Sequence, residues 1–118
     1  MGADSLIKKI PHSQVIKLED MVAVDANQVS SMTLVQRPSI GMTLFSLGEG
    51  EGEGIKMHTS PGDAMVQILS GIAEIIIGEE KHLVHGGETI ILPANIPHAL
   101  HAIKSFQMLL IVVKPDKQ

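Results

Sequence analysis

The sequence predicts an all-β fold, one barrel or sandwich assembled from nine or ten short strands. Three observations predict it. Short runs rich in Val, Ile, Leu, Met and Thr recur from Val29 to Val113, separated by turns rich in Gly and Pro. No stretch of useful length spaces its apolar residues at the helical period. The chain has 118 residues, 44% apolar and 19% charged, which suffices for one hydrophobic core and leaves little material for a second. A single domain over residues 1–118 is therefore expected.

Residues 1–14, interrupted by Pro11, read as an N-terminal arm. Ser13 to Leu18 alternates like a half-buried strand, and Glu19 to Val22 reads as a turn or a single helical turn. From Gln28 to Arg37, Val29, Ser31, Thr33 and Val35 occupy one face, with Ser30, Met32, Leu34 and Gln36 on the other; Pro38 ends the strand. Pro38 to Gly41 is a turn and Met42 to Leu47 returns, giving an antiparallel pair over residues 29–47. Gly48 to Gly54 alternates Gly and Glu, either as a solvated connection or as a loop that sends one carboxylate to a pocket mouth.

Beyond Ile55 the elements shorten. Strands are expected at Ile55–His58, Met65–Leu69, Ala73–Ile77, His82–His85, Thr89–Leu92, His98–Ala102 and Phe106–Val113. Between them lie turns at Pro61-Gly62-Asp63, Gly71, Gly78 to Lys81, Gly86-Gly87 and Pro93 to Pro97.

Composition narrows the partners. The formal charge is −4, no basic run exceeds Lys8-Lys9, and Phe45 and Phe106 are the only aromatic residues, so no nucleic acid partner is expected. The apolar run Met108 to Val113 is strand-sized, far short of the roughly 20 residues that cross a bilayer, so no membrane partner is expected either. Without cysteine there is no disulfide or thiolate chemistry, and with no secretory pattern at Met1 to Lys9 the expected location is cytoplasmic. Seven methionines stand in for aromatics as core fillers.

Two turns carry the chemistry. The first follows His58 and runs Thr59-Ser60-Pro61-Gly62-Asp63-Ala64; the second is Pro93-Ala94-Asn95-Ile96-Pro97 and leads into His98. Their spacing resembles the two motifs of the cupin superfamily, G-x5-H-x-H-x3-4-E-x6-G and G-x5-P-x-G-x2-H-x3-N. Gly52, His58 and Gly71 take the places of the first motif, Gly87, Pro93 and His98 those of the second, with residues 72–86 between them. The resemblance implies a single jelly-roll barrel, also called a double-stranded β-helix, of the small conserved-barrel type, with its two-motif core at residues 52–102. It also implies a homodimer, which would cover exposed strand edges.

The departures from the motifs bear on function. In the family three histidines and a glutamate hold a divalent metal; here Ser60 replaces the second histidine, Ala64 the glutamate, Asn95 the second motif's glycine and Ala102 its asparagine. Asn95 is a mild change, since Asn tolerates the left-handed conformation. Only His58 and His98 remain as candidate metal ligands, fewer than the three protein ligands a catalytic centre usually keeps. The period of two sets His58 with Ser60, and Ala64 with Val66 and Ile68, and turns Asp63, Gln67 and His101 away. The resemblance implies that this shared face is the barrel interior, where His98 and Leu100 complete the pocket.

The expected function is binding of a small molecule of low charge in a pocket lined by these residues. The alternatives are a cupin enzyme of dioxygenase or isomerase type using weakly held Mn, Fe, Ni, Cu or Zn, and a metal-free isomerase with His58 and His98 as acid and base. A purely structural dimer module is a further class.

Overall fold

The computed structural model describes residues 5–50 and 54–116. Seven strands are seen among them: β1 (Val29–Arg37), β2 (Ile40–Leu47), β3 (Gly54–His58), β4 (Asp63–Ile77), β5 (Glu80–His85), β6 (Thr89–Leu92) and β7 (His98–Val113). All pair antiparallel, in the order β1-β2-β7-β4-β5, with β3 added to β7 and β6 added to β4.

The strand count is lower than the sequence predicts because two pairs of expected strands are continuous. β4 has 15 residues and β7 has 16, and they pair from Asp63–Val113 to Ile77–His98, with register shifts between Ile68 and Ala73. Each long strand therefore runs through both walls of the barrel. One wall holds β1, β2, β6 and the paired segments 63–68 and 108–113; the other holds β3, β5 and the paired segments 72–77 and 98–104. Gly71 marks the bend: its φ is +86°, and a Cβ there would overlap the Ser105 carbonyl oxygen and stand 2.6 Å from Phe106 Cα. Chain crossing at this corner requires a residue without a side chain.

Alternation then decides what fills the barrel. Ala64, Val66 and Ile68 from β4, Leu92 from β6, and Leu100, Ala102, Phe106 and Met108 from β7 form the interior cluster with Leu47, Ala73, Ile75 and Val84. A second cluster, Val22, Leu34, Val35, Leu44 and Leu109, packs on the outer face of the first wall, joined by Ile10, Leu18 and Met21 of the N-terminal segment. In β1 the strict alternation expected from the sequence breaks at a register shift between Thr33 and Val35, which buries both Leu34 and Val35.

The strand expected at Ser13–Leu18 does not form. Ser13 has φ +62°, Val15 is fully exposed, and a single 3-10 turn at Leu18–Met21 follows. The segment docks through distant polar groups instead. Buried Gln107 donates from Nε2 to the carbonyls of Glu19 (2.6 Å) and Val22 (2.8 Å) and accepts at Oε1 from Ser70 Oγ (2.7 Å). Buried Ser46 donates to the Ala23 carbonyl at 2.6 Å. Gln107→Leu leaves these partners unpaired, so a loss of about 1–3 kcal/mol is expected in denaturant titration, with earlier proteolysis near residue 20.

Candidate functional site

The site is assembled by turns that hold two strand ends side by side. β3 ends at His58 and β7 begins at His98, and the two residues are direct cross-strand partners. Asn95, with φ +66°, turns the second connection back, and its N–H donates to the Ser60 carbonyl at 2.8 Å. Asp63 Oδ1 accepts the Ala94 N–H at 2.8 Å, stitching the same two turns together from the outer side. Asp63 thus braces the turns and faces away from the barrel, as its parity requires.

The imidazoles meet edge to face, with ring centroids 4.4 Å apart and planes at 69°. His98 is buried and His58 is exposed. Each ring is oriented by a carbonyl two residues earlier: His58 Nδ1 lies 2.8 Å from the Lys56 oxygen and His98 Nδ1 3.2 Å from the Ile96 oxygen. A carbonyl only accepts, so Nδ1 carries the proton in both rings, and the neutral form then leaves a lone pair on each Nε2. Among the described residues neither Nε2 has a hydrogen-bond partner.

Burial pushes the His98 pKa down; the Ile96 carbonyl works against this by favouring the charged ring, while His58 adds to the lowering. His98 is therefore a neutral base at pH 7. Between its folded value and the ordinary value of about 6.5, the unfolded chain binds more protons than the folded one. This contribution to stability is present above about pH 6.5 and is lost as pH falls through the folded value. Urea midpoints measured from pH 8 to pH 5 are expected to fall on acidification, and less steeply in His98→Gln.

Residues 44–114, more than half of the chain, match the family model described as the cupin domain. The chain belongs to the cupin family. It is similar to the crystal structure of a conserved protein of unknown function from Streptococcus pyogenes, with 52% identity, a TM-score of 0.92, and coverage of 98% of this chain and 99% of the other. A cupin superfamily protein from Desulfitobacterium hafniense follows at 28% identity and TM-score 0.87, covering 94% of this chain and all of the other. An uncharacterized protein of Streptomyces coelicolor is 27% identical over 92 residues, which span 78% of this chain and 86% of that one.

Within this cupin barrel the residues singled out from the sequence divide into three groups. His58 and His98 stand together at the mouth. Ala64, Val66, Ile68 and Leu100 face inward, yet at 4%, 0%, 1% and 4% exposure they are packed against neighbours such as Phe106 and Met108, leaving no water-sized space beside Val66. Those four side chains are therefore core filling, and of the residues singled out on this face His58 is the exposed one. Ser60 lies past the end of β3, where the period of two no longer applies; its hydroxyl accepts the Gly62 N–H at 3.2 Å and borders a different cavity.

One residue on the inner face, Glu80, was missed by the sequence reasoning. Glu80 and Lys81, assigned there to a turn, both belong to β5, because the hairpin turn is only Gly78-Glu79, and Lys81 faces outward. Cross-strand rows then run His58–His98–Ile77–Glu80 and Ile55–Leu100–Ile75–His82, which puts Glu80 and His82 on the histidine side. Their side chains approach to 3.7 Å at the sheet edge. A hairpin-length argument was the available signal. His101 faces outward, 3.8 Å from Glu74, and His85 pairs with Glu88.

These residues do not fit a tightly held metal. Among the described residues no group of three His, Cys, Asp or Glu converges, and two imidazoles fall short of the usual three protein ligands. Of the Gly48–Gly54 loop considered as a supplement, Glu49 is exposed and its N–H donates to Ser105 Oγ at 2.9 Å, while Glu51, Gly52 and Glu53 lie outside the described residues.

Proposed function

We propose that this cupin binds a small molecule at the barrel mouth, with Nε2 of His58 and Nε2 of His98 accepting hydrogen bonds from it. The observation that carries this reading is the shared tautomer: two carbonyls fix both Nδ1 protons, so two acceptors are presented together on one wall. The packed floor of Leu100 and Ile75 beneath them keeps the orientation fixed. Titration with a library of small hydrogen-bond donors, followed by the ring 1H–13C signals of both histidines, tests it. Saturable movement of both rings, abolished in His98→Ala, is the expected result; a library that moves neither ring contradicts it.

A second reading, a metal-free isomerase, is favoured by the depressed His98 pKa, which keeps a free base at the mouth at neutral pH. Elemental analysis of tag-free protein separates both from the weak-metal enzyme: one equivalent of Mn, Fe, Ni, Cu or Zn, lost in His58→Ala and His98→Ala, would replace them.

We further propose a homodimer built on the outer face of the first wall. Met42, Ile111, Met65 and Ile91 are successive cross-strand neighbours there, forming an uncharged apolar row in which Met65 is 39% and Ile91 46% exposed. Such a row can meet a copy of itself across a two-fold axis without charge repulsion. Ile91→Lys is expected to shift the mass in light scattering from two chains to one; an unchanged mass contradicts this face.

A further inference from the structure

We propose that the mouth of this barrel includes a pocket for one anionic group, a carboxylate or a phosphate, of the ligand it binds. The inference rests on the small-molecule reading above and names the ligand's charge. A cavity of about 200 Å³ lies where the β1–β2 hairpin, the end of β7 and the turn after β3 converge. Arg37, Thr43, Ser60, Val112 and Lys114 are among the residues lining it, so residues that carry two cations and two hydroxyls border one space.

Among the described residues neither cation has a counter-charge. Among the described residues every ion pair involves a histidine, and none involves Arg37 or Lys114. The carboxylate nearest in register is Asp63, opposite Val113, and it is turned to the Ala94 N–H. Two unpaired cations on one cavity, in a chain of formal charge −4, form a local field that favours an anion. Arg37 supplies a planar fork suited to two oxygens of a carboxylate or phosphate.

Lys114 is also held in place. Its N–H donates to the Ser39 carbonyl at 2.9 Å, and its stem crosses buried Gly62 so closely that a Cβ on Gly62 would lie 3.0 Å from Lys114 Cγ. A Cβ at position 62 would also overlap the Val113 carbonyl oxygen, so the chain around Lys114 packs directly on this glycine. Val112 packs against the interior cluster opposite Ala64, and Ser60 is two residues from His58 and bonded to the Asn95 turn. The anion pocket and the histidine pair therefore share one end of the barrel, and a ligand carrying a single negative charge spans both.

The test uses inorganic phosphate and acetate as probes, titrated into 15N-labelled full-length protein at constant ionic strength. Saturable shifts of the Ser60, Gly62 and Lys114 amides are expected with at least one probe, weakened tenfold or more in both Arg37→Gln and Lys114→Gln, and unchanged in Lys81→Gln, on the outer face of β5. Whichever probe binds assigns the group. Equal shifts with sodium chloride, or unaltered affinity in Lys114→Gln, would overturn the proposal. So would loss in Lys8→Gln alone, because Lys8 and Arg37 also line a neighbouring cavity of about 350 Å³. Histidine rings that respond to small molecules without anion binding defeat this inference only. Anion binding with silent rings defeats the histidine reading only.

Discussion

Gly71→Ala is expected to destabilise the barrel by roughly 2–5 kcal/mol, combining a left-handed backbone penalty with forced displacement of a packed neighbour. The position has φ +86°, and the space a methyl would take is occupied by the Ser105 carbonyl and Phe106 backbone of β7. Neither can move alone, since β4 and β7 pair on both sides of the corner. Unfolding midpoints in urea and by heat measure the loss. A change under about 0.5 kcal/mol, the range of unconstrained surface substitutions, would show that the corner does not need the close approach described.

Phe106→Ala is expected to cost about 3–5 kcal/mol. Its ring is fully buried in the interior cluster, and it is one of two aromatic residues in the chain. No other large ring is available to fill the void, and the neighbouring Leu47 and Met108 are themselves fully buried and fixed by the β2–β7 register. Phe106→Leu should recover much of the loss by restoring volume. Because Gly71 and Phe106 touch, the double variant should be less destabilised than the sum of the two. Full additivity in a double-variant cycle would argue against a shared corner.

The sequence revealed the barrel more readily than its corners. His98, Leu100 and Ala102 alternate with His101 because that part of β7 is regular, so a local period of two assigns faces correctly. The same rule fails at Ser60, where the strand has already ended at His58. Gly71 looks like a strand break in the sequence; what makes it a bend is the approach of Ser105, a contact 34 positions away. Ser13 to Leu18 alternates without a strand to pair with, and its neighbours Glu19 and Val22 are held by Gln107, which no local pattern announces. Arg37 and Lys114 are likewise distant in sequence and meet only because β1 and β7 both flank β2. The paired histidines were legible from the turn spacing, but their common orientation depends on two carbonyl contacts within the folded turns.

The most direct measurement is the 15N tautomeric state of His58 and His98 at pH 8, read by long-range 1H–15N correlation. The account predicts a proton on Nδ1 and an unprotonated Nε2 in both rings, with the His98 signal holding that pattern to lower pH than an ordinary histidine. A proton on Nε2 in either ring would contradict it, because the mouth would then present a donor where the proposed site requires an acceptor.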